Sequence, residues 1–200
     1  VVVAIAALVA LSAAVYFIAA RPNLSPKRFG VVEAGKLYRA GEITPAGLAK
    51  IARERGLRTV IDFGAHEPGS PEEVRESRSA AALGLTRFVL RLEGDGTGNL
   101  NNYARALEIM NDPARQPVLV HCAAGTQRTG CAVALYQRMH TGAGVDQLLA
   151  EAARYDHDPA DNPHVRAILS TKGDEIIEAA RTRGNIPGFD PVAPAAPIAP

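Results

Sequence analysis

The sequence predicts an α/β domain, and three observations carry that expectation. Short apolar runs of strand character, at Lys36–Arg39, Arg58–Phe63, Leu85–Leu92 and Pro117–His121, alternate with longer amphipathic stretches. The longer stretches open on N-cap signals and stop at glycines, as discrete helices do. One strand runs through a loop of small residues straight into a helix, a unit of layered α/β architecture. With 200 residues, 47% of them hydrophobic, the chain can close one core and still carry extra segments at its ends.

Residues 1–20 are almost wholly apolar, and a helix of that length rises about 30 Å, the thickness of a bilayer core. They read as a membrane anchor or signal-anchor helix; a cleaved signal or a buried core helix are the other readings. Arg21, Lys27 and Arg28 would hold the following domain on the cytoplasmic side; export after signal cleavage is the alternative. Residues 21–30 form a linker, 31–184 the folded domain, and the Pro- and Ala-rich stretch 185–200 a disordered tail.

Within the domain, Thr44-Pro45 caps a helix that Gly56 ends near Arg55. Ser70-Pro71-Glu72-Glu73 has the form of a capping box and opens a helix to about Leu83. Leu92 to Gly98 is a glycine-rich loop carrying Glu93 and Asp95. Helices follow over Asn99–Met110, Arg128–His140, Val145–Tyr155 and Val165 to about Arg181. The strand Pro117–His121 is expected to be central and buried. Net charge is +1, from 22 basic and 21 acidic residues, which gives no support to a nucleic-acid partner. Two cysteines, Cys122 and Cys131, are too few for a disulfide framework.

The chemistry concentrates in His121-Cys122-Ala123-Ala124-Gly125-Thr126-Gln127-Arg128-Thr129-Gly130. A loop of small residues at a helix N-terminus directs backbone amides into one concavity, where they suit a phosphate. Arg128 adds a planar fork for two phosphate oxygens. The same field favours the thiolate form of Cys122, placed beneath the anion for attack on phosphorus. Thr129 is positioned to hydrogen-bond Cys122, and His121 to organise the loop backbone. Asp95 is the chosen general acid because its loop follows a strand and is free to move between glycines; Glu93 is the second candidate. No cofactor and no metal are needed.

This segment resembles the signature of the cysteine-dependent tyrosine and dual-specificity phosphatase superfamily, HCxxGxxR[ST]G, with a match at His121, Cys122, Gly125, Arg128, Thr129 and Gly130. The similarity extends over roughly Val31 to Tyr155. Gly35-Lys36-Leu37-Tyr38-Arg39-Ala40-Gly41, then Arg58 to Asp62 and Arg128-Thr129-Gly130-Cys131, look like the bacterial and plant/fungal-type atypical members. The resemblance implies a central mixed, mostly parallel sheet flanked by helices, a phosphocysteine intermediate, and a general-acid Asp in the loop already chosen. The chain departs from the pattern at Asp62-Phe63-Gly64, where such proteins often have Asn/Asp-Leu-Arg.

Other polar clusters have plainer readings. Cys131 falls on an apolar helix and is expected to pack; a redox role beside Cys122, as in a thiol-dependent arsenate reductase, is the competing one. His157-Asp158 and Asp161 with His164 sit among prolines, as a loop in which Asn162 caps the last helix rather than as a metal cluster. His66-Glu67 reads as a solvated turn and Asp62 as structural. The signature loop carries no lysine, so a phosphotyrosine or phosphoserine/threonine protein, or a simple phosphomonoester, is expected as substrate ahead of a polyphosphorylated inositol. The plant/fungal likeness keeps inositol pyrophosphates as the alternative, and a phosphate-binding pseudoenzyme is a third class.

Overall fold

The structure is a computed structural model that describes residues 5, 6, 8, 9, 11, 12, 23 and 25–192. Among the described residues five short strands form one sheet: β1 (Gly30–Glu33), β2 (Leu37–Ala40), β3 (Thr59–Asp62), β4 (Thr86–Val89) and β5 (Val118–His121), in the order β1-β2-β5-β3-β4. Only β1 is antiparallel to its neighbour; β2, β5, β3 and β4 run parallel. The mixed, mostly parallel sheet implied by the resemblance is therefore present. Its middle strand is β5, every residue of which is buried. That is why β5 reads as continuous Val-Leu-Val, since a strand covered on both faces has no polar side to alternate with.

Helices α1 (Pro45–Arg55) and α2 (Pro71–Ala82) cover one face. There Tyr38, Ala40, Val60 and Leu119 of the sheet pack on Leu48, Ile51 and Ala80. The other face packs Leu37, Ile61, Phe88, Val118 and Val120 against α3 (Asn101–Asn111), α4 (Gln127–Thr141), α5 (Val145–Ala153), α6 (Pro163–Thr171) and α7 (Gly173–Thr182). The parallel strands end together, so the segments following β2, β3, β4 and β5 gather at one edge of the sheet, where an α/β fold places its site.

The helix signals act as expected. Thr44 Oγ1 accepts from Gly47 N at 3.1 Å, and Gly56 closes α1 in the left-handed region. Ser70 Oγ accepts from Glu73 N at 3.2 Å, but the Glu73 carboxylate leaves the capping box and bonds Arg87 instead. The helix expected over Val165 to Arg181 is broken into α6 and α7. Arg138 from α4 reaches into the break, donating to Leu169 O at 2.6 Å and pairing with Asp174 at 2.8 Å. An inserted side chain that takes a ladder carbonyl interrupts a helix in this way.

Two expectations about the ends are corrected. Among the described residues no helix is long and apolar enough to cross a membrane. This overturns the apolar N-terminal helix as a membrane anchor over residues 1–20, and with it the membrane partner and the membrane-anchored placement drawn from it; 1–4, 7, 10 and 13–20 lie outside the described residues. At the other end, residues 185–192 lie against α3 rather than in a disordered tail: Ile186 is buried, its amide donates to Asn101 Oδ1 at 2.7 Å, and Asp190 O accepts from Asn99 and Asn101. Residues 193–200 lie outside the described residues. The segment expected as a linker over 21–30 enters the sheet at Gly30.

Candidate active site

β5 delivers His121 and Cys122 to the edge of the sheet, and the chain then curls through Ala123 to Thr126 into α4. Cys122 is almost fully buried, and its Sγ accepts from Gly125 N at 3.1 Å. The curl is held from outside. Ala123 O accepts from Glu42 N at 2.9 Å, Ala124 O from Arg28 Nη1 at 2.8 Å, and Gly125 O from Arg39 Nη2. In a planar trans peptide the N–H points opposite to the C=O. Fixing three successive carbonyls outward therefore turns the amides of Ala124, Gly125 and Thr126 inward, toward the sulfur. The amides of Ala123, Ala124, Thr126 and Gln127 donate to no protein acceptor among the described residues. They form the concavity that an anion fills at a helix N-terminus.

Two glycines allow this approach. A Cβ on Gly125, whose φ is +80°, would lie 2.7 Å from Gly41 N, and a Cβ on Gly41 would lie 2.7 Å from Ala124 O. Arg39 is buried, with its guanidinium 3.8 Å from the centre of the Tyr155 ring. Burial lowers its pKa to about 10, which leaves it charged at neutral pH. Arg28 also pairs with Asp156 at 2.8 Å. Sequence reasoning gave neither arginine a role in the site. The signal available was Arg39 and Gly41 within the quoted Gly35–Gly41 segment, but their target is remote in sequence.

Arg128 opens α4. Its Nη1 donates to Phe63 O at 2.9 Å and to Gly64 O, on the loop after β3, while its Nε has no partner. Thr129 is fully buried, and among the described residues its hydroxyl has no partner, so the expected hydrogen bond to Cys122 is not made. The His121 ring stands against α2: its Nε2 lies 2.9 Å from Glu76 Oε1 as an ion pair, and among the described residues neither ring nitrogen makes a hydrogen bond of good geometry. Burial opposes charge on this ring, but the Glu76 and Asp62 carboxylates outweigh it and raise the His121 pKa to about 9. Burial likewise opposes charge on Glu76, and His121 and Arg87 overcome it, holding the carboxyl below its usual range.

Beneath the loop lies a closed ionic network. Asp62 accepts from Gly64 N at 2.8 Å and Ala65 N at 2.7 Å, and from Arg87 Nη2 at 2.6 Å. Arg87 also reaches Glu73 at 2.8 Å and Glu76 at 3.2 Å. Asp62, Glu76 and His121 offer ligand atoms within 4.8 Å of one another. The Arg87 guanidinium is already bonded to both carboxylates, so that spot has its cation. Asp62 is thus structural, as expected. His66, expected in a solvated turn, is mostly buried, 3.8 Å from Glu76 Oε2.

Asp95 lies in the loop between β4 and α3, where a Cβ on Gly96 would lie 3.8 Å from the backbone of Gln127. Its Oδ1 accepts from Thr97 Oγ1 at 2.7 Å and Thr97 N at 2.9 Å, and its Oδ2 lies 3.6 Å from His164 Nε2. The Thr97 hydroxyl and amide, more than His164, lower its pKa. Glu93 is exposed. Tyr103 Oη donates to Gly96 O at 2.9 Å, and Asn162 Nδ2 donates to Asp95 O at 3.1 Å. Asn162 stands at the N-cap position of α6 as expected, yet its side chain holds the Asp95 loop and makes no cap bond. Cys131 is fully buried, and burial pushes its thiol up to about 12, which leaves it packing in the core and disfavours it as a redox partner.

With this geometry in place, likeness to known proteins identifies the family. Residues 13–166 match the family described as DSP-PTPase phosphatase fused to NAD+ kinase. The chain belongs to that family. This places it in the cysteine-based dual-specificity and tyrosine phosphatase superfamily. It is 29% identical over 118 residues to inositol diphosphatase DSP3 of Arabidopsis thaliana, a stretch spanning 58% of this chain and 56% of that protein. The core catalytic domain of the PP-IP phosphatase SIW14 from S. cerevisiae, in complex with citrate, superposes with a TM-score of 0.66 at 22% identity, over 79% of this chain and 93% of that one. TpbA of P. aeruginosa, in complex with pTyr, gives 0.59 at 19% identity, over 78% and 98%. At such identities the two structures show a shared fold.

Proposed function

We propose that this chain removes phosphate from a small polyphosphorylated substrate of the inositol diphosphate class, through a phosphocysteine formed on Cys122. The observation that carries the mechanism is the outward tethering of three loop carbonyls, which points amides at the sulfur. The phosphoryl group sits in that concavity with Arg128 on its oxygens. Cys122 Sγ attacks phosphorus in line, an S–P bond forms, and the P–O bond to the leaving group breaks. Asp95 supplies a proton to that oxygen when it needs one. Water then attacks phosphorus, Asp95 takes its proton, and the thiolate and inorganic phosphate are released.

The substrate reading differs from the phosphotyrosine protein that the lysine-free loop favoured. The sequence-related protein is an inositol diphosphatase, and one fold relative is a PP-IP phosphatase; TpbA bound to pTyr supports the other side at lower likeness. The site adds a physical reason. Thr97 lowers the Asp95 pKa, so the protonated form that a general acid needs is scarcer. A phosphate departing from a diphosphate is a stable anion and needs that proton far less than an alkoxide does. Arg39, which holds the loop from outside, adds its positive charge to that of Arg128.

The test is turnover of a diphosphoinositol polyphosphate, a phosphotyrosine peptide and p-nitrophenyl phosphate, without metal, by the wild type and Cys122→Ser. The diphosphate should have the highest kcat/KM, vanadate should block all three, and Cys122→Ser should lose more than about 10⁴-fold. Full activity in Cys122→Ser would falsify the mechanism, and a phosphotyrosine preference would return the substrate to the protein class.

A further inference from the structure

We infer that Arg91 is a specificity residue that grips a second phosphate beside the one held over Cys122, which rests on the polyphosphorylated substrate proposed above. Gly64 has a φ of +82° and stands, just after β3, where the phosphatases that this chain resembles often carry an arginine. The space its missing side chain leaves is filled from elsewhere. A Cβ on Gly64 would lie 3.4 Å from Arg91 Cγ, 3.3 Å from Arg91 Nη1 and 3.6 Å from Arg128 Nη1. Arg91, two residues beyond β4, therefore lays its side chain across the loop after β3 and brings a second guanidinium up to Arg128.

Both guanidiniums hold that one loop by its carbonyls. Arg128 takes Phe63 O and Gly64 O, and Arg91 Nη1 donates to His66 O at 2.8 Å. Among the described residues neither is paired with a carboxylate, in contrast to Arg28 and Arg87. Arg91 is only partly buried, and among the described residues its Nε and Nη2 make no hydrogen bond, which leaves them open to an incoming anion. Two un-neutralised forks flanking one Cβ-sized space fit two phosphates joined directly or carried on neighbouring carbons. A lone phosphomonoester occupies Arg128 and the amide concavity and leaves Arg91 with nothing to bind. The arginine that the sequence lacks after β3 is thus replaced in space by one from the segment after β4.

The experiment compares Arg91→Gln and Arg91→Lys with wild-type full chain, on a diphosphoinositol polyphosphate and on p-nitrophenyl phosphate. It also measures competitive inhibition by inorganic pyrophosphate and by inorganic phosphate. Arg91→Gln should lose about 30-fold in kcat/KM on the diphosphate, mostly through KM, and under about 3-fold on p-nitrophenyl phosphate. Its inhibition by pyrophosphate should weaken by a similar factor while phosphate inhibition moves little, and Arg91→Lys should recover part of both. Equal losses on the two substrates would mean that Arg91 only braces the loop through His66, and would overturn the inference. A wild type active on p-nitrophenyl phosphate but idle on the diphosphate would overturn the substrate reading instead, and the second-phosphate role with it.

Discussion

The floor and the rim of the site handle charge in opposite ways. Under the loop, Asp62, Glu73 and Glu76 meet Arg87 and the protonated His121 in a network almost closed to solvent. At the rim, Arg91 and Arg128 bond only to backbone carbonyls, and Asp95 is satisfied by Thr97. Buried charges must be paired because desolvation is otherwise ruinous. Charges at the mouth keep their water until an anionic substrate replaces it, so leaving them unpaired costs little. Balance beneath serves shape, and imbalance above serves binding.

Removing a floor cation should therefore damage folding, and removing a rim group should damage only chemistry. The largest effect is expected for Arg87→Leu, which strands three carboxylates under the loop. It should cost about 3–5 kcal/mol in urea unfolding, and a loss under about 1 kcal/mol would break the comparison. Next comes Asp95→Asn at the rim. It should lower kcat roughly 10²-fold on an alkyl phosphate, much less on a diphosphate, and leave the melting temperature near wild type. An equal loss on both substrates would remove the leaving-group argument, and no loss would move the acid role to Glu93.

The smallest effect is a pH dependence of stability. His121 has a folded pKa raised to about 9 from an ordinary 6.5, so its contribution is complete below 6.5 and is lost as pH rises toward 9. Glu76 is shifted down, so its contribution is present above its ordinary 4.5 and is lost on acidification below that. Unfolding free energy should peak between these limits. Glu76→Gln should flatten the alkaline fall; an unchanged slope from pH 6.5 to 9 would mean that the ion pair does not hold the ring charged.

Much of the frame was legible because its causes are local. Thr44, Gly56 and Ser70 set helix ends within a few residues of themselves, and the Val-Leu-Val run announces a strand buried on both sides. Cys122 and Arg128 were legible because their spacing spans a single strand-loop-helix unit. The break between α6 and α7 was not, since Arg138 makes it from another helix. Nor was Asn162, whose capping position was plain and whose partner, Asp95 O, lies far away in sequence.

What the sequence determined by itself is the order of elements and the short span that joins Cys122, the amide loop and Arg128, because backbone geometry and caps act over a few residues. What only the tertiary structure decided is the setting of that loop. Arg28 and Arg39 pull its carbonyls outward, Glu76 holds His121 from another helix, and Arg91 enters the space left at Gly64. Such contacts depend on which strand ends lie side by side, and the parallel sheet fixes that by long-range packing rather than by neighbours along the chain.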